Sequence, residues 1–306
     1  MTRAFLSSGD LIADRRVQYA EMMFESGDWE PALDLMRQAL DIVPNWAPGW
    51  FRLAEMEAGS GNLAAAEDAW RRTLALDPQD HLGASLRMAA TGLIERPETP
   101  PVAYVETLFD AYAPTFEKAL VGKLDYRAPQ LLDAAIGISS GGENLRSVVD
   151  MGCGTGLMGE LLRSRTEYLE GSDLSEAMLQ KAREKNIYDR LEQGDINTPA
   201  GSVTMAGLVV AADVFVYVGD LERAFANVSR RLRENGIFAF SVEVHDEDQD
   251  LILRESLRYA HSETYVCRLL ADHGFLVETL QRETLRMDHG APVRGLIVVA
   301  RLRSGG

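Results

Sequence analysis

The sequence predicts an α/β protein in which a doubly wound, mostly parallel sheet follows an all-α domain. Two observations support this prediction. Strand-like apolar runs alternate with helical stretches over residues 145–302, and a helical pattern recurs every 34 residues over residues 13–80. A doubly wound sheet binds its ligands beyond the carboxyl ends of its strands, so the residues that follow each apolar run are the expected site.

Six apolar runs are the predicted strands. They are Arg146–Asp150, Glu167–Asp173, Leu208–Ala212, Ile237–Val242, Phe275–Thr279 and Val293–Ala300. Helices are predicted between them, near residues 156–164, 175–185, 221–233 and 262–272. This alternation favours helices on both faces of a mostly parallel sheet.

Composition and charge limit the partners and the cellular compartment that the sequence predicts. The chain has 306 residues, enough for two domains, and its net charge of −16 without a basic patch argues against nucleic acid and an anionic membrane surface as partners. Its two cysteines form no disulfide framework and no zinc spacing, and the acid-rich stretch 243–250 lacks the spacing of metal ligands. No signal peptide or membrane-spanning run is found, so we expect a cytoplasmic protein without a bound metal.

One stretch, residues 147–156, organises the predicted sheet. An apolar strand leads to Asp150 and then to three glycines at alternate positions, which permit a sharp turn and a close approach of ligand to backbone. A second acid, Asp173, ends the next apolar run. A carboxylate there can accept both hydroxyls of a ribose. The two acids therefore predict a nucleoside site at the ends of two strands.

This arrangement resembles the first motif of the class I S-adenosylmethionine (SAM)-dependent methyltransferases, apolar-apolar-Asp-x-Gly-x-Gly-x-Gly, which residues 148–156 match position by position. The resemblance implies a Rossmann-like, seven-stranded sheet with an antiparallel last strand, and SAM as the cofactor. Gly154, Gly156 and Gly159 also spell the G-x-G-x-x-G of dinucleotide-binding proteins. Asp150 would repel a pyrophosphate but attracts the ammonium and sulfonium of SAM, so the sequence favours SAM.

Further parts of the cofactor site follow this resemblance. Leu174 and Met178 are placed to sandwich the adenine ring, and the Gly-Asp-Ile stretch around Asp195 resembles the motif that contacts the adenine edge. Residues 124–129 resemble a Tyr-Arg-x-Pro stretch of a bacterial branch of the family, which implies contact with the methionyl end of SAM. The predicted cofactor-binding residues are Tyr126, Arg127, Asp150, Gly152, Cys153, Gly154, Gly156, Asp173, Leu174, Met178, Asp195, Ile196 and Ala211.

The helical pattern over residues 13–80 places small and large residues at equivalent positions of two units. Ala32 recurs as Ala66, Pro44 recurs as Pro78, and a Gly-Asp or Gly-Asn turn separates the two helices of each unit. The pattern resembles the tetratricopeptide repeat. The predicted domains are a tetratricopeptide-repeat module with a capping helix over residues 1–96, a proline-rich linker over 97–101, and a methyltransferase domain over 102–306 with a helical lid at 102–135.

Two repeats are fewer than such arrays usually need to stand alone. The module is therefore expected to pack against the rest of the chain or another subunit, and three roles stay open: a surface for a protein partner, self-association, or a structural lid. All four tryptophans of the chain lie in this module, and most are expected to be packing residues: Trp29, Trp46, Trp50 and Trp70.

The acceptor side is predicted to follow the fourth motif of the family, which residues 209–219 resemble and which ends beside the departing methyl group. A hydroxyl or ammonium acceptor needs a base, and aromatic residues of the lid, the fourth motif and the stretch 258–265 are predicted to contact the acceptor. The catalytic candidates are Asp213, His245 and His261, and the substrate-binding candidates are Phe109, Tyr112, Tyr217, Tyr259 and Tyr265. A structural role is the open alternative for each of them.

Taken together, these motifs predict a SAM-dependent methyltransferase acting on an oxygen or nitrogen of a small molecule in a lidded pocket. Two alternatives stay open. One is a protein methyltransferase that recruits its substrate through the repeats. The other is a scaffold that binds SAM without turnover.

Overall fold

The computed structural model describes residues 7–118, 124–143, 145–199 and 205–304. The chain divides into two compact units, one of residues 1–97 with 101–104 and one of residues 98–100 with 105–306. The predicted domain assignments stay predictions, and residues 119–123 of the predicted lid lie outside the described residues. No helix among the described residues is long and apolar enough to cross a membrane.

The first unit is built of paired helices. They are α1 (Leu11–Ser26), α2 (Trp29–Ile42), α3 (Ala47–Gly59), α4 (Leu63–Leu76) and α5 (Ala84–Ala90). α1 packs against α2 and α3 packs against α4, and α4 begins and ends 34 residues after α2, as the repeat predicts. The turn after α1 contains Gly27 at φ +88° and the turn after α3 contains Gly61 at φ +88°, a conformation that favours glycine.

Small side chains let these helices approach each other. Ala20, Ala32 and Ala66 are fully buried, and the large side chain of Trp70 fills the space between helices at 1% exposure. Trp29, in contrast, is 46% exposed, so it is not a packing residue. The helix pairs agree with the repeat pattern, whereas their assignment to the tetratricopeptide family stays a prediction.

The second unit contains a seven-stranded sheet with the strand order β3-β2-β1-β4-β5-β9-β8. The strands are β1 (Leu145–Met151), β2 (Thr166–Asp173), β3 (Arg190–Gln193), β4 (Ala206–Ala211), β5 (Leu232–Glu243), β8 (Phe275–Asp288) and β9 (Ala291–Leu302), and a separate hairpin joins β6 (Leu251–Leu253) to β7 (Tyr259–His261). The helices are α6 (Val102–Tyr112), α7 (Ala128–Ser139), α8 (Leu157–Leu162), α9 (Glu176–Glu184), α10 (Glu222–Arg231) and α11 (Glu263–Asp272).

The sheet is mostly parallel. β3, β2, β1, β4 and β5 run parallel, and β9 pairs antiparallel with both β5 and β8. The antiparallel strand implied by the family resemblance is therefore present. The strand order reverses between β1 and β4, which is where a doubly wound sheet opens a crevice for ligands.

Alternate residues of β5 show how the sheet is covered on both faces. Ile237 and Ala239 join a core that includes residues of α7 and α8. Phe238 and Phe240 point to the other face, where both rings contact the ring of Phe225 from α10. This period of two places helices on both faces, as the alternation of elements predicts.

Three elements differ from the sequence prediction. β3 was not predicted, since Arg190–Gln193 is short and polar. The β6–β7 hairpin was not predicted, and β7 lies within the stretch 258–265 that was predicted to contact the acceptor. β8 runs to Asp288 rather than Thr279, because pairing with β9 maintains the strand through register shifts that break the alternating pattern.

Candidate active site

The turn after β1 requires glycine for its backbone. Gly152, Gly154 and Gly156 have φ values of +66°, +54° and +92°. A Cβ on Gly152 would come within 2.4 Å of a methyl group of Val214. Cys153 is buried between these glycines, and α8 begins directly after Gly156. The turn therefore brings bare backbone close to the ends of β1 and β4.

Asp150 is a buried acid with one unpaired oxygen. Its side chain is at the end of β1 at 1% exposure, and its Oδ2 accepts a 2.6 Å hydrogen bond from the Tyr188 hydroxyl. Its Oδ1 is buried and has no hydrogen-bond partner among the described residues. Burial raises the pKa of the Asp150 carboxyl to about 7, against the opposing effect of the Tyr188 hydroxyl. A cationic ligand group would donate the hydrogen bond that this oxygen lacks.

Asp173 follows at the end of β2. Its Oδ2 accepts a 2.8 Å hydrogen bond from the backbone N–H of Gly154, and its Oδ1 accepts one of 2.9 Å from that of Ser175. Burial raises the pKa of this carboxyl, and the two amides oppose that effect. The amides hold the carboxylate beside the glycine turn, and each oxygen keeps a lone pair for a further donor.

The predicted adenine contacts surround the same strand end. Leu174 is half-buried beside Asp173, whereas Met178 is fully buried in α9. The Asp195 Oδ1 accepts the backbone N–H of Asn197 at 2.8 Å, and the Ile196 carbonyl accepts from the Asn227 amide at 3.0 Å. These contacts fix the loop after β3 at the edge that carries Asp173, and the adenine role stays a prediction.

Residues of the predicted lid bind to this edge. Asp110 of α6 accepts a 2.5 Å hydrogen bond from the Ser175 hydroxyl, which caps α9. Glu117 accepts one of 2.7 Å from the Thr155 hydroxyl in the glycine turn. The Phe109 ring lies 5.0 Å from the Tyr217 ring in a T-shaped contact. The lid segment thus spans the ends of β1, β2 and β4.

Tyr126 and Arg127, both predicted to bind the cofactor, differ in exposure. Tyr126 is buried, and the pKa of its phenol is raised by burial and then by the charges of Asp213 and Asp150. The charges of both acids, Asp150 and Asp213, therefore act on this phenol. Arg127 is exposed at the start of α7, and its contact with a methionyl carboxylate stays a prediction.

Beyond β4 the acids are paired with arginine. Asp213 has φ +60°, and both of its oxygens accept 2.9 Å hydrogen bonds from Nη1 of Arg286. Arg286 is 1% exposed, and its Nη2 contacts Glu243 at the end of β5. The Asp213 backbone N–H donates to the Ser241 hydroxyl at 2.8 Å. Asp213 is therefore held by a buried ion pair on one side and a strand on the other.

The predicted acceptor contacts fall into two groups. Tyr217 is half-buried, and its hydroxyl accepts a 3.3 Å hydrogen bond from Nε of Arg258. Burial raises the pKa of Tyr112, and the nearby charges of Tyr217 and Arg258 also act on it, so the three side chains are neighbours. Ala211 is fully buried at the end of β4. These residues lie together where β4 ends.

The second group fixes the loop after Tyr217. Tyr259 is fully buried against Gly219, where an added Cβ would come within 2.7 Å of its ring. The buried His261 places Nε2 2.8 Å from the Gly219 carbonyl. The Tyr265 hydroxyl donates to Asp220 and accepts from the Leu221 backbone N–H, both at 3.0 Å. All three side chains act on the loop, and their catalytic or acceptor roles stay predictions.

His245 is the third predicted catalytic residue. It is 6% exposed just beyond β5, and its Nδ1 accepts a 3.2 Å hydrogen bond from the Glu247 backbone N–H. A neutral ring in this arrangement carries its proton on Nε2, which is buried and has no partner among the described residues. No group of three or more His, Cys, Asp or Glu in the described part of the chain could hold a metal ion.

Sequence reasoning missed Arg258, Arg286, Glu243 and Tyr188. Arg286 lies in a strand, β8, that holds four other charged residues, so its residue type alone was no signal of burial. The burial of Arg286 could not be predicted from the sequence, because a register shift between Thr284 and Arg286 buries Leu285 and Arg286 side by side.

Part of the chain matches a known protein family. Residues 149–240 match the sequence profile of the family described as "Methyltransferase domain". This segment runs from the end of β1 through β5 and contains Asp150, the glycine turn, Asp173 and Asp213.

Two curated relatives are enzymes. The chain is 30% identical over 161 residues to the "Probable S-adenosylmethionine-dependent methyltransferase CRG1" of Saccharomyces cerevisiae, a match that covers 50% of this chain and 53% of the relative. It is 36% identical over 103 residues to the trans-aconitate 2-methyltransferase of Variovorax paradoxus, covering 33% of this chain and 40% of the relative. The chain thus spans about half or less of these relatives' length.

Solved structures show the same fold. The [4+2]-cyclase SpnF superposes with a TM-score of 0.55 at 16% identity, covering 68% of this chain and 98% of that protein. At this identity the likeness concerns the fold alone. The family match goes further: residues 149–240 match a methyltransferase domain, and the relative from Saccharomyces cerevisiae is named as a probable SAM-dependent enzyme.

The described residues fit SAM. The unpaired Oδ1 of Asp150 suits an ammonium group, and the backbone of the glycine turn leaves room that a side chain at Gly154 would take. Asp173 offers acceptors for ribose hydroxyls.

Proposed function

We propose that this chain transfers the methyl group of SAM to an oxygen or nitrogen of a small-molecule acceptor that binds where β4 and β5 end. The observation that carries the proposal is the pair of acids at the ends of β1 and β2, the buried Asp150 and the half-buried Asp173, neither of which forms an ion pair with lysine or arginine among the described residues. Acids left without a cation are suited to a cationic ligand.

Each side of the crevice has its own task in this proposal. When bound, SAM supplies an electrophilic methyl group on a sulfonium. Asp150 binds the amino end of the ligand and Asp173 binds its ribose, while Leu174 and Asp195 contact the adenine. Tyr126, Asp213 and Tyr217 line the space between ligand and acceptor. Alignment of two reactants contributes about 7–11 kcal/mol to such a displacement, so the main task of these residues is positioning.

The lid supports a small acceptor. Phe109 packs on Tyr217, and Asp110 and Glu117 bind the cofactor side through hydroxyl groups. Closure of this kind excludes water and suits an acceptor that fits wholly inside. The curated relative from Variovorax paradoxus is named for a small acceptor, trans-aconitate.

The experiment is a calorimetric titration of S-adenosylhomocysteine into the full chain, followed by methyl transfer from labelled SAM. Asp173→Ala is expected to lower the affinity by about 2–4 kcal/mol, because two charged hydrogen bonds to ribose are lost. The matched control is Asp34→Ala, since this acid is exposed on α2 in the first unit. Equal affinities of the two variants would contradict the proposal, as would binding of NAD in place of the nucleoside.

A second candidate is methylation of a protein recruited by the first unit. The observation that favours it is a set of exposed apolar side chains on α1, with Leu11 81%, Met22 64% and Tyr19 59% exposed. Leu11→Asp with Met22→Asp would lower transfer to a protein acceptor and leave transfer to a small molecule unchanged. SAM binding without transfer to either class would favour the scaffold.

A further inference from the structure

The second unit contains a cavity of about 720 Å³ on the acceptor side. It lies where β5 ends, between the β6–β7 hairpin and the turn that joins β8 to β9. Its basic lining consists of Arg254, Arg258, Arg282 and Arg294 together with His245. Four acids lie in the same lining, so the arginines are matched in number by carboxylates: Glu243, Asp246, Glu247 and Asp288.

Three of the four carboxylates of this cavity are paired with a guanidinium group, and Glu247 has no ion pair among the described residues. Glu243 contacts the buried Arg286 and lies 3.3 Å from Nε of Arg254. Asp246 forms a 2.7 Å ion pair with Arg282. Because these acids are neutralised by guanidinium groups, they have little attraction left for a cationic acceptor. The paired acids therefore offer little to an amine, whereas an anion can still use the remaining N–H donors of the guanidinium groups.

Arg258 connects the cavity with the predicted methyl-transfer site. It lines the cavity, and its Nε donates to the Tyr217 hydroxyl at 3.3 Å. Its ion pair with Asp288 is long, with Nη1 3.5 Å from the carboxylate. A guanidinium has five N–H donors in a fork that matches a carboxylate, so two long contacts leave this group capacity for a bidentate partner. Burial opposes its charge, but Tyr217, Asp213 and Glu243 outweigh burial and hold the pKa of Arg258 above its usual value.

Each of the three predicted bases already has a hydrogen-bond partner, and in Asp213 both carboxylate oxygens are occupied. Both oxygens of Asp213 bind Arg286, Nε2 of His261 contacts the Gly219 carbonyl, and Nδ1 of His245 accepts the Glu247 amide. A hydroxyl or ammonium acceptor would need one of them to remove its proton. A carboxylate acceptor is already ionised near neutral pH and needs no base.

We propose that the acceptor is a small organic acid with at least two carboxylates, one bound by the Arg258 guanidinium and the other acting as the nucleophile. The inference rests on the proposed methyl transfer. A carboxylate oxygen forms the new bond to the methyl carbon, the carbon–sulfur bond breaks, and its electron pair stays on the sulfur of S-adenosylhomocysteine. The product is a methyl ester, and no proton moves.

The first test needs no knowledge of the acceptor. A small-molecule extract of cells that express the chain is divided on an anion-exchange resin, and each fraction is incubated with the full chain and methyl-labelled SAM. We expect the label in the retained fraction and its release as methanol on alkaline treatment, because methyl esters hydrolyse in base. Label on an unretained compound, or label that survives alkali, overturns the proposal.

The second test measures binding with defined probes. Glutarate and tricarballylate are titrated into the chain in the presence of S-adenosylhomocysteine, with glutaramide as the neutral analogue. The acids are expected to bind and the amide is not. Arg258→Gln is expected to weaken binding of the acids roughly 10- to 100-fold and Arg258→Lys to weaken it less, because a charge-assisted pair is lost or loses its fork. Arg71→Gln, on an exposed residue of α4, is the control for loss of one charge.

The outcomes separate this inference from the proposed function. If S-adenosylhomocysteine binds and label goes to a neutral compound, the carboxylate inference fails and methyl transfer stands. If S-adenosylhomocysteine does not bind, both fail. Equal binding of acids and amide, or equal binding to Arg258→Gln and Arg71→Gln, also overturns the inference.

Discussion

The acids at the two halves of the carboxyl edge of the sheet have different kinds of partner. On the glycine-turn side, where β1, β2 and β3 end, the partners of Asp150 and Asp173 within the described part of the chain are a hydroxyl and backbone amides. On the arginine side, where β4, β5 and β8 end, Asp213 and Glu243 share the buried Arg286. The first side is thus prepared for a cationic ligand, and the second is neutral and able to receive an anion.

This difference shows that a similar set of acids gives two chemistries, depending on what pairs with them. The pKa of the Asp150 carboxyl is raised to about 7 by burial without a cation. Substitutions on either side test this difference between acids with and without a cation.

Arg286→Met removes the cation that Asp213 and Glu243 share on the arginine side. Removal of the guanidinium leaves Asp213 and Glu243 buried without their partner, so the free energy of unfolding is expected to fall by about 3–5 kcal/mol. Urea unfolding followed by circular dichroism measures it. Glu243→Met added to this variant is expected to restore part of the loss, and Arg71→Met, in an exposed pair, to change little. An unchanged midpoint for Arg286→Met would show that the acids are solvated instead.

His261→Ala tests the loop on the arginine side. The buried Gly219 carbonyl loses its donor, so stability is expected to fall by about 1–3 kcal/mol. The variant His261→Gln keeps a donor and should recover part of this loss. Unchanged stability with lost methyl transfer would instead make His261 a catalytic residue.

Asp150→Asn sharpens the contrast through pH. A cationic group binds the ionised carboxylate, and the free carboxyl has a pKa of about 7, so below pH 7 binding must first remove a proton. The affinity for S-adenosylhomocysteine should therefore rise as pH increases to about 7 and then level off, with a slope of roughly tenfold for each pH unit below that value. Calorimetry from pH 5.5 to 8 checks this. The Asn variant should lose most of the slope, and a wild-type affinity that is independent of pH would contradict the assignment.

Asp110→Asn tests the lid over the glycine-turn side. Its Oδ1 accepts from the Ser175 hydroxyl at 2.5 Å, so the charge-assisted bond becomes a neutral one, at a cost of about 0.5–1.5 kcal/mol. Hydrogen exchange of the α6 amides should become faster and the affinity for S-adenosylhomocysteine a few-fold weaker. Asp34→Asn, on an exposed acid of α2, is the control. Identical exchange in both variants would show that this contact does not hold the lid.

The sequence predicted the glycine-turn side better than the arginine side, for a physical reason. Asp150, the glycines and Asp173 are fixed by local chain geometry, because a strand end, a turn and a helix start are consecutive in sequence. Arg286 lies 73 residues from Asp213, and it is buried by a register shift that no local pattern reveals. The pairing of Arg258 with Tyr217 likewise depends on a hairpin, β6–β7, that the sequence did not predict.

The most direct test of the contrast is one calorimetric comparison. S-adenosylhomocysteine and 5′-methylthioadenosine, which lacks the amino-acid part, are titrated into the wild type, Asp150→Asn and Asp173→Asn. Asp150→Asn is expected to weaken only S-adenosylhomocysteine, by roughly 10- to 100-fold, because we propose that this acid binds the amino end. Asp173→Asn is expected to weaken both ligands, because both carry the ribose. Equal losses for both ligands in the Asp150 variant, or no loss in either variant, would contradict the account.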